Sequence, residues 1–184
     1  MKQFSIILIL IIPILSAKAQ PALVKTKIGE EITISMPEEL VPMTEEDFAS
    51  KFISPKKPIA VYTNGQRVVE FSINESNTTW EEKDLALMKS FYKSSILSLY
   101  DQVKFLQEKI LEINKKRFVI FEFSSQVKGN KASLVDQRDI KKYTYIQYTI
   151  KNGKTVLLNF NCPLRDQQYW QPVVHQMMGS IRIK

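Results

Sequence analysis

Residues 153–184 read GKTVLLNFNCPLRDQQYWQPVVHQMMGSIRIK, and two periodicities meet inside this stretch. Val156, Leu158, Phe160 and Cys162 fall at every second position, so a strand over Lys154–Cys162 turns one apolar face to a core. Pro163 stops that strand. The apolar spacing then lengthens to three and four. Trp170, Val174, Met177, Met178 and Ile181 become one stripe of a helix running from about Arg165 to Ser180. Pro172 lies early in it and draws the regular start toward Gln171. Just upstream, Asn152-Gly153 is a type I′ turn signature, so the strand closes a hairpin with Lys142–Ile150. On that partner strand Tyr143 and Tyr145 share one face and Tyr148 takes the other.

The same reading extends backwards. Arg117–Ser124 places Val119, Phe121 and Phe123 on one face, and Val103–Ile113 alternates before it, with Asn114-Lys115-Lys116 as the turn. Thr79-Trp80-Glu81-Glu82 has the spacing of a capping box. The helix it opens runs to about Tyr100, with Leu85, Met88, Tyr92, Ser95, Ile96 and Leu99 as its buried stripe and Phe91 beside it. Ile59–Thr63, an Asn64-Gly65 turn and Arg67–Glu75 make another hairpin, with Val69, Phe71 and Ile73 inward. Thr44 caps a short helix over Glu45–Phe52, whose first-turn acids suit the helix dipole. Ile32–Met36 is a strand, and Gln20–Glu31 is an extended lead-in. The order β-α-ββ-α-ββ-ββ-α brings strands as hairpins and helices singly. That predicts an α+β domain, a mainly antiparallel sheet covered by helices in an α/β/α-type sandwich, over residues 32–184.

Met1–Ala19 is expected to be a cleaved signal peptide. A basic start, the apolar run Phe4–Leu15 and an Ala17-Lys18-Ala19 end have its three-part form. The run is too short for a spanning helix, so no permanent membrane anchor is expected after cleavage following Ala19. Export into the periplasm or beyond is the expected location. The leader carries Lys2 and Lys18 and no acid, so its removal takes the net charge from +7 to +5.

Composition narrows the chemistry. One Cys cannot form an internal disulfide or a thiolate zinc site, and one His excludes any site that needs two. No GxGxxG, GxxxxGK[ST] or GxSxG occurs, and neither a metal nor a cofactor is expected. His175, the sole histidine, is read as a surface or satisfied helix residue, and Cys162 as inert packing. Glu38-Glu39, Glu45-Glu46-Asp47 and Glu81-Glu82 are read as helix-start acids rather than paired catalytic carboxylates. Trp80 and Trp170 stand near helix starts, and Asn74-Glu75-Ser76 and Asn77-Thr78-Thr79 are acceptor sequons. Basic residues are spread among acids and the chain carries an export signal, so nucleic acid is not the expected partner.

Ser125–Lys141 differs in character: 17 mostly polar residues between two strands. Lys128, Lys131, Arg138, Lys141 and Lys142, with Tyr143 and Tyr145, form the candidate interaction surface for a protein or an anionic envelope component.

Three stretches together resemble the PsbP/Mog-like fold family. They are ITISMPEELVPMTEEDFASKF, PIAVYTNGQRVVEFSINES and the closing run quoted above. The resemblance implies a central antiparallel sheet between helices, and binding rather than chemistry. The family's members include an accessory protein of photosystem II and a regulator that binds a small nuclear GTPase. It implies here an exported bacterial member, with no functional residue carried over. The expected function is therefore an exported, non-enzymatic binding module. One alternative is a carrier of a small ligand or lipid in a cavity lined by Phe118, Phe121, Leu158, Met177 and Met178. Another is an enzyme of unrecognised class.

Overall fold

The computed structural model describes residues 20–51, 57–129 and 138–184. Met1–Ala19, read above as a signal peptide, and Lys131 lie outside the described residues. A hairpin comes first: β1 (Leu23–Ile28) and β2 (Ile32–Pro37), turned at Gly29, whose φ of +59° suits a residue without Cβ. Then follow β3 (Val41–Pro42), α1 (Glu45–Lys51), β4 (Ala60–Thr63), β5 (Glu70–Thr79) and α2 (Leu85–Leu99). The second half runs β6 (Gln102–Ile113), β7 (Lys116–Val127), β8 (Ile140–Lys151), β9 (Lys154–Pro163), α3 (Gln167–Gly179) and β10 (Arg182–Ile183).

Seven strands form one antiparallel sheet in the order β3-β4-β5-β9-β8-β7-β6. Two of its hairpins close through two-residue turns with both residues at positive φ, Asn114-Lys115 and Asn152-Gly153, as type I′ geometry requires. A small sheet, β1-β2-β10, lies beside α3.

The main sheet is buried on both faces. One face carries Phe71, Ile73, Phe118, Ile120, Leu158, Phe160 and Cys162, and packs against α3 and the small sheet. The other carries Val119, Phe121, Phe123, Ile146 and Tyr148, and packs against Leu85, Met88 and Ile96 of α2. Each apolar side chain this size contributes roughly 1.5–3 kcal/mol when fully buried, which is why the alternation fixes strand register so firmly. The result is an α+β sandwich. α2 lies along β6 and β7, while α3 lies over β8 and β9 and against β2.

The long edge strand β6 is protected. Lys104, Glu108, Lys109 and Glu112 stud it, and a bulge at Leu106, between Phe105 and Gln107, interrupts the ladder.

Several local readings change. The lead-in is a strand, because β1 finds a full antiparallel partner in β2. Asn64-Gly65 does not make a two-residue turn. The Asn64 carboxamide oxygen accepts from the Val68 and Val69 amides, so the loop widens to residues 64–69 and positive φ falls on Arg67. Thr79 stays in β5, opposite Lys154, so it cannot cap α2. A short 3-10 turn, Glu82–Asp84, leads into the helix instead, and the Asp84 carboxylate accepts the Glu81 amide. On α2, Leu99 and Phe91 are 69% and 50% exposed: Phe91 lies with Leu87 on the outward side, and Leu99 ends the helix beyond its contacts with β6 and β7. α3 begins before Pro172 and carries it inside. Thr44, by contrast, caps α1 as its type predicts, its hydroxyl accepting the Asp47 amide.

The polar connection is shorter than its composition suggests. β7 and β8 extend into it, pairing Ser125, Gln126 and Val127 with Lys142, Lys141 and Ile140. Asp139 accepts from the Gln126 carboxamide and the Gly129 amide, and Asp101 accepts the Lys128 amide, so both ends of the connection are anchored.

Candidate functional site

β7 reads Phe118-Val119-Ile120-Phe121-Glu122-Phe123, one acid inside a run that is apolar on both faces. Strand alternation therefore drives Glu122 under α3, where it is 2% exposed. An ionised carboxylate in that position needs partners. Three side chains supply them. Tyr143 Oη donates to Oε1 at 2.9 Å, Gln171 Nε2 donates to Oε1 at 2.6 Å, and His175 Nε2 lies 2.9 Å from Oε2. Gln171 and His175 are four residues apart, one helical turn, so both reach down from one side of α3. Tyr145, directly across the ladder from Glu122, meets the His175 ring edge-on at 5.5 Å between centroids.

The electrostatics follow from this geometry. Burial pushes the Glu122 pKa up. The hydrogen bond and charge of His175, with the Tyr143 and Gln171 hydrogen bonds, outweigh that and hold it below the usual carboxylate value. Burial, then the neighbouring Glu122 charge and hydrogen bond, push the Tyr143 hydroxyl far above its ordinary value. Burial is also the main reason Tyr145 is raised to about 12. The His175 ring is 45% exposed. With Nε2 committed to Glu122, it borders a shallow groove of about 460 Å³ between α3 and β6, beside Gln107, Lys109 and Glu112.

A histidine backed by a buried carboxylate can act as a base. Among the described residues no activated nucleophile stands beside this pair. Tyr143 is locked as a donor, and Cys162 is buried with its thiol pushed up to about 12 by burial and by Asp166. Among the described residues no group of three or more His, Cys, Asp or Glu is placed to hold a metal ion. The cluster is best understood as a polar clamp between sheet and helix.

The sequence-derived surface comes apart in the structure. Tyr143 and Tyr145 are 0% and 5% exposed and belong to the core under α3, so neither can form part of a surface patch. Lys128, Arg138, Lys141 and Lys142 are exposed. Adjacent strand residues point to opposite faces, so Lys141 and Lys142 line different grooves. Lys131 is outside the described residues. The proposed carrier cavity is filled. Phe118, Phe121, Leu158, Met177 and Met178 are each at most 1% exposed, and Phe121 faces α2 while the others face α3. Trp170 packs on Phe160 at 5.3 Å, and Trp80 meets Phe91 at 5.8 Å. Both sequons lie in β5, where the Asn74 amide donates to Ser72.

Sequence reasoning missed Glu122. The available cue was that both alternating sets of β7, Phe118/Ile120 and Val119/Phe121/Phe123, are apolar. A strand buried on both faces cannot turn its acid to water.

No helix among the described residues is long and apolar enough to cross a membrane. No protein-family model matches the sequence. No curated protein matches it. Solved structures do. Cyanobacterial PsbP (CyanoP) from Synechocystis sp. PCC 6803 superposes with a TM-score of 0.60 at 12% identity, covering 91% of this chain and 96% of its own. The Saccharomyces cerevisiae Ran-binding protein Mog1p does so with a TM-score of 0.55 at 13% identity, covering 89% and 96%. A Pseudomonas aeruginosa protein of unknown function gives 0.51 at 9% identity, covering 86% and 95%. Likeness at such low identity over nearly whole chains speaks to architecture, and the architecture of this chain is the PsbP/Mog-like fold.

Proposed function

We propose that the chain is an exported, non-enzymatic binding module that engages a protein or another component of the cell envelope. The observation that carries this reading is the outward side of α2. A solvated helix turns charges outward. Here Leu87, Phe91 and Leu97 are 62%, 50% and 50% exposed, while the charges of the helix, Lys89 and Lys93, are both half-buried and Lys93 is paired with Glu108. The hydroxyls of Ser90, Ser94 and Ser95 donate to backbone carbonyls one turn back, which lowers the polarity of that side further. Leu87 and Phe91, one turn apart, make an exposed apolar pair of the kind that marks an interaction site. Mog1p, which shares the fold, is a Ran-binding protein, and this supports a binding role here. The leader-like Met1–Ala19 supports export and cleavage after Ala19.

The test is capture from a native envelope extract, comparing the wild type with a Leu87→Ser/Phe91→Ser double variant and a Lys141→Glu/Lys142→Glu variant. Lys141 and Lys142 are exposed, so that variant should change stability by no more than about 0.5 kcal/mol, whereas Phe91→Ser also gives up the ring contacts with Trp80 and Tyr92, roughly 1 kcal/mol, and a thermal melt checks that it folds. The expected result is a specific partner that the first variant loses and the second weakens in a salt-dependent way. Identical captures by wild type and the Leu87/Phe91 variant would sink the assignment.

A further inference from the structure

α2 leaves the β9 side of its sheet face only partly covered. It packs against β6 and β7, and Tyr92 stacks on Tyr148 of β8 at 3.9 Å, but Leu157, Asn159 and Asn161 of β9 are only partly buried. Between the end of α2 and those strands is a cleft of about 350 Å³, at the lower end of the ~300–1,000 Å³ typical of small-molecule sites. Its lining is divided. Ile96 and Leu99 of α2, with Ile146 and Leu157 on the sheet, make an apolar body. Asn159, Asn161 and Lys142 make a polar end.

The polar end is rich in donors. The Asn159 side chain makes no hydrogen bond among the described residues, and its Oδ1 is shut away from solvent. Its amide nitrogen is the group left to serve the cleft. Asn161 Oδ1 accepts from Lys142 Nζ at a long 3.5 Å, which leaves the Asn161 amide hydrogens and most of the ammonium unspent. Glu70, opposite Asn161 on β5, is not part of the lining. Two carboxamides and an ammonium at one end of an apolar slot match the two acceptor oxygens and the charge of a carboxylate.

We propose that this cleft binds a small carboxylate with an apolar body, the carboxylate on Lys142, Asn159 and Asn161, and the body under Leu99. The site is distinct from the outward side of α2 that carries the binding function above. It also differs in every residue from the cavity that the sequence suggested.

The test uses octanoate as probe and octan-1-ol as its uncharged counterpart, followed by amide chemical shifts of the purified protein. Saturable shifts are expected at residues 95–100, 142–148 and 157–161 with octanoate at millimolar concentration. Lys142→Met should weaken octanoate on the order of tenfold, one charge-assisted bond's worth, and leave octan-1-ol unchanged. Leu99→Glu should abolish octanoate binding. Lys142 and Leu99 are both exposed, and a thermal melt checks that each variant folds. Absence of saturable shifts at these positions, or equal octanoate binding by Lys142→Met, would overturn the site. Neither result bears on partner capture through Leu87 and Phe91.

Discussion

Removing the His175 ring is the perturbation that best tests the Glu122 clamp. In His175→Ala the carboxylate keeps Tyr143 and Gln171 on Oε1 but loses the partner of Oε2. A hydrogen bond to a charged group contributes about 1.5–3 kcal/mol. Glu122 is 2% exposed while the His175 ring is 45% exposed, so water can partly replace the imidazole from the open side. The loss should therefore fall near the lower bound, ~1.5 kcal/mol. For a domain of this size that lowers Tm by roughly 3–6 °C. Glu122→Gln keeps the shape and removes the charge, and the double variant closes a cycle whose coupling should reach about 1 kcal/mol. Urea unfolding followed by tryptophan fluorescence suits the measurement, since Trp170 packs on Phe160 at the start of α3. The pH dependence supplies a second readout. Glu122 is held below its unfolded value, so the pair's contribution is fully present above the ordinary carboxylate pKa. It is lost as pH falls through the depressed folded value. The gap between wild type and Glu122→Gln should close over that acid range and stay open at neutral pH. Additive single effects, within ~0.3 kcal/mol, or a gap that does not change with pH, would refute the clamp.

Lys115 sits at φ +68° in the two-residue β6–β7 turn, where glycine carries no Cβ penalty, so Lys115→Gly should raise stability by about 0.5–1 kcal/mol in denaturant titration; a loss would show that Lys115 contributes through its side chain. Cys162 is fully buried with its thiol raised to about 12, so thiol reagents at neutral pH should label it only after unfolding; rapid labelling of the native protein would contradict the packing.

The hairpins, the inner face of β9 and the stripe of α3 were legible because each is a local regularity. Val156, Leu158, Phe160 and Cys162 need only strand pitch to share a face, and Asn152-Gly153 needs only its own φ preferences to turn. Asn64-Gly65 has the same letters and a different outcome. There the Asn64 side chain bonds to Val68 and Val69, and a competition between side chain and ladder cannot be settled by a dipeptide.

The functional features divide along the same line. Periodicity and turn chemistry act over a few residues, and they were enough for the layered α+β architecture, the apolar faces and the resemblance to the PsbP/Mog-like fold. The sequence also placed a lone acid at Glu122 and the sole histidine at His175, 53 residues apart, without joining them. They become a pair because α3 packs onto the sheet closely enough to bring His175 over β7. Only the structure buried Tyr143 and Tyr145 beneath that helix and sent Lys141 and Lys142 to separate grooves. The width of α2 against a sheet of seven strands decided the rest. One helix cannot cover the whole face, so Leu99 is left overhanging a cleft with Asn159 at its floor. Which positions a sheet leaves bare is a property of how its layers are sized and placed, and no spacing along the chain encodes it.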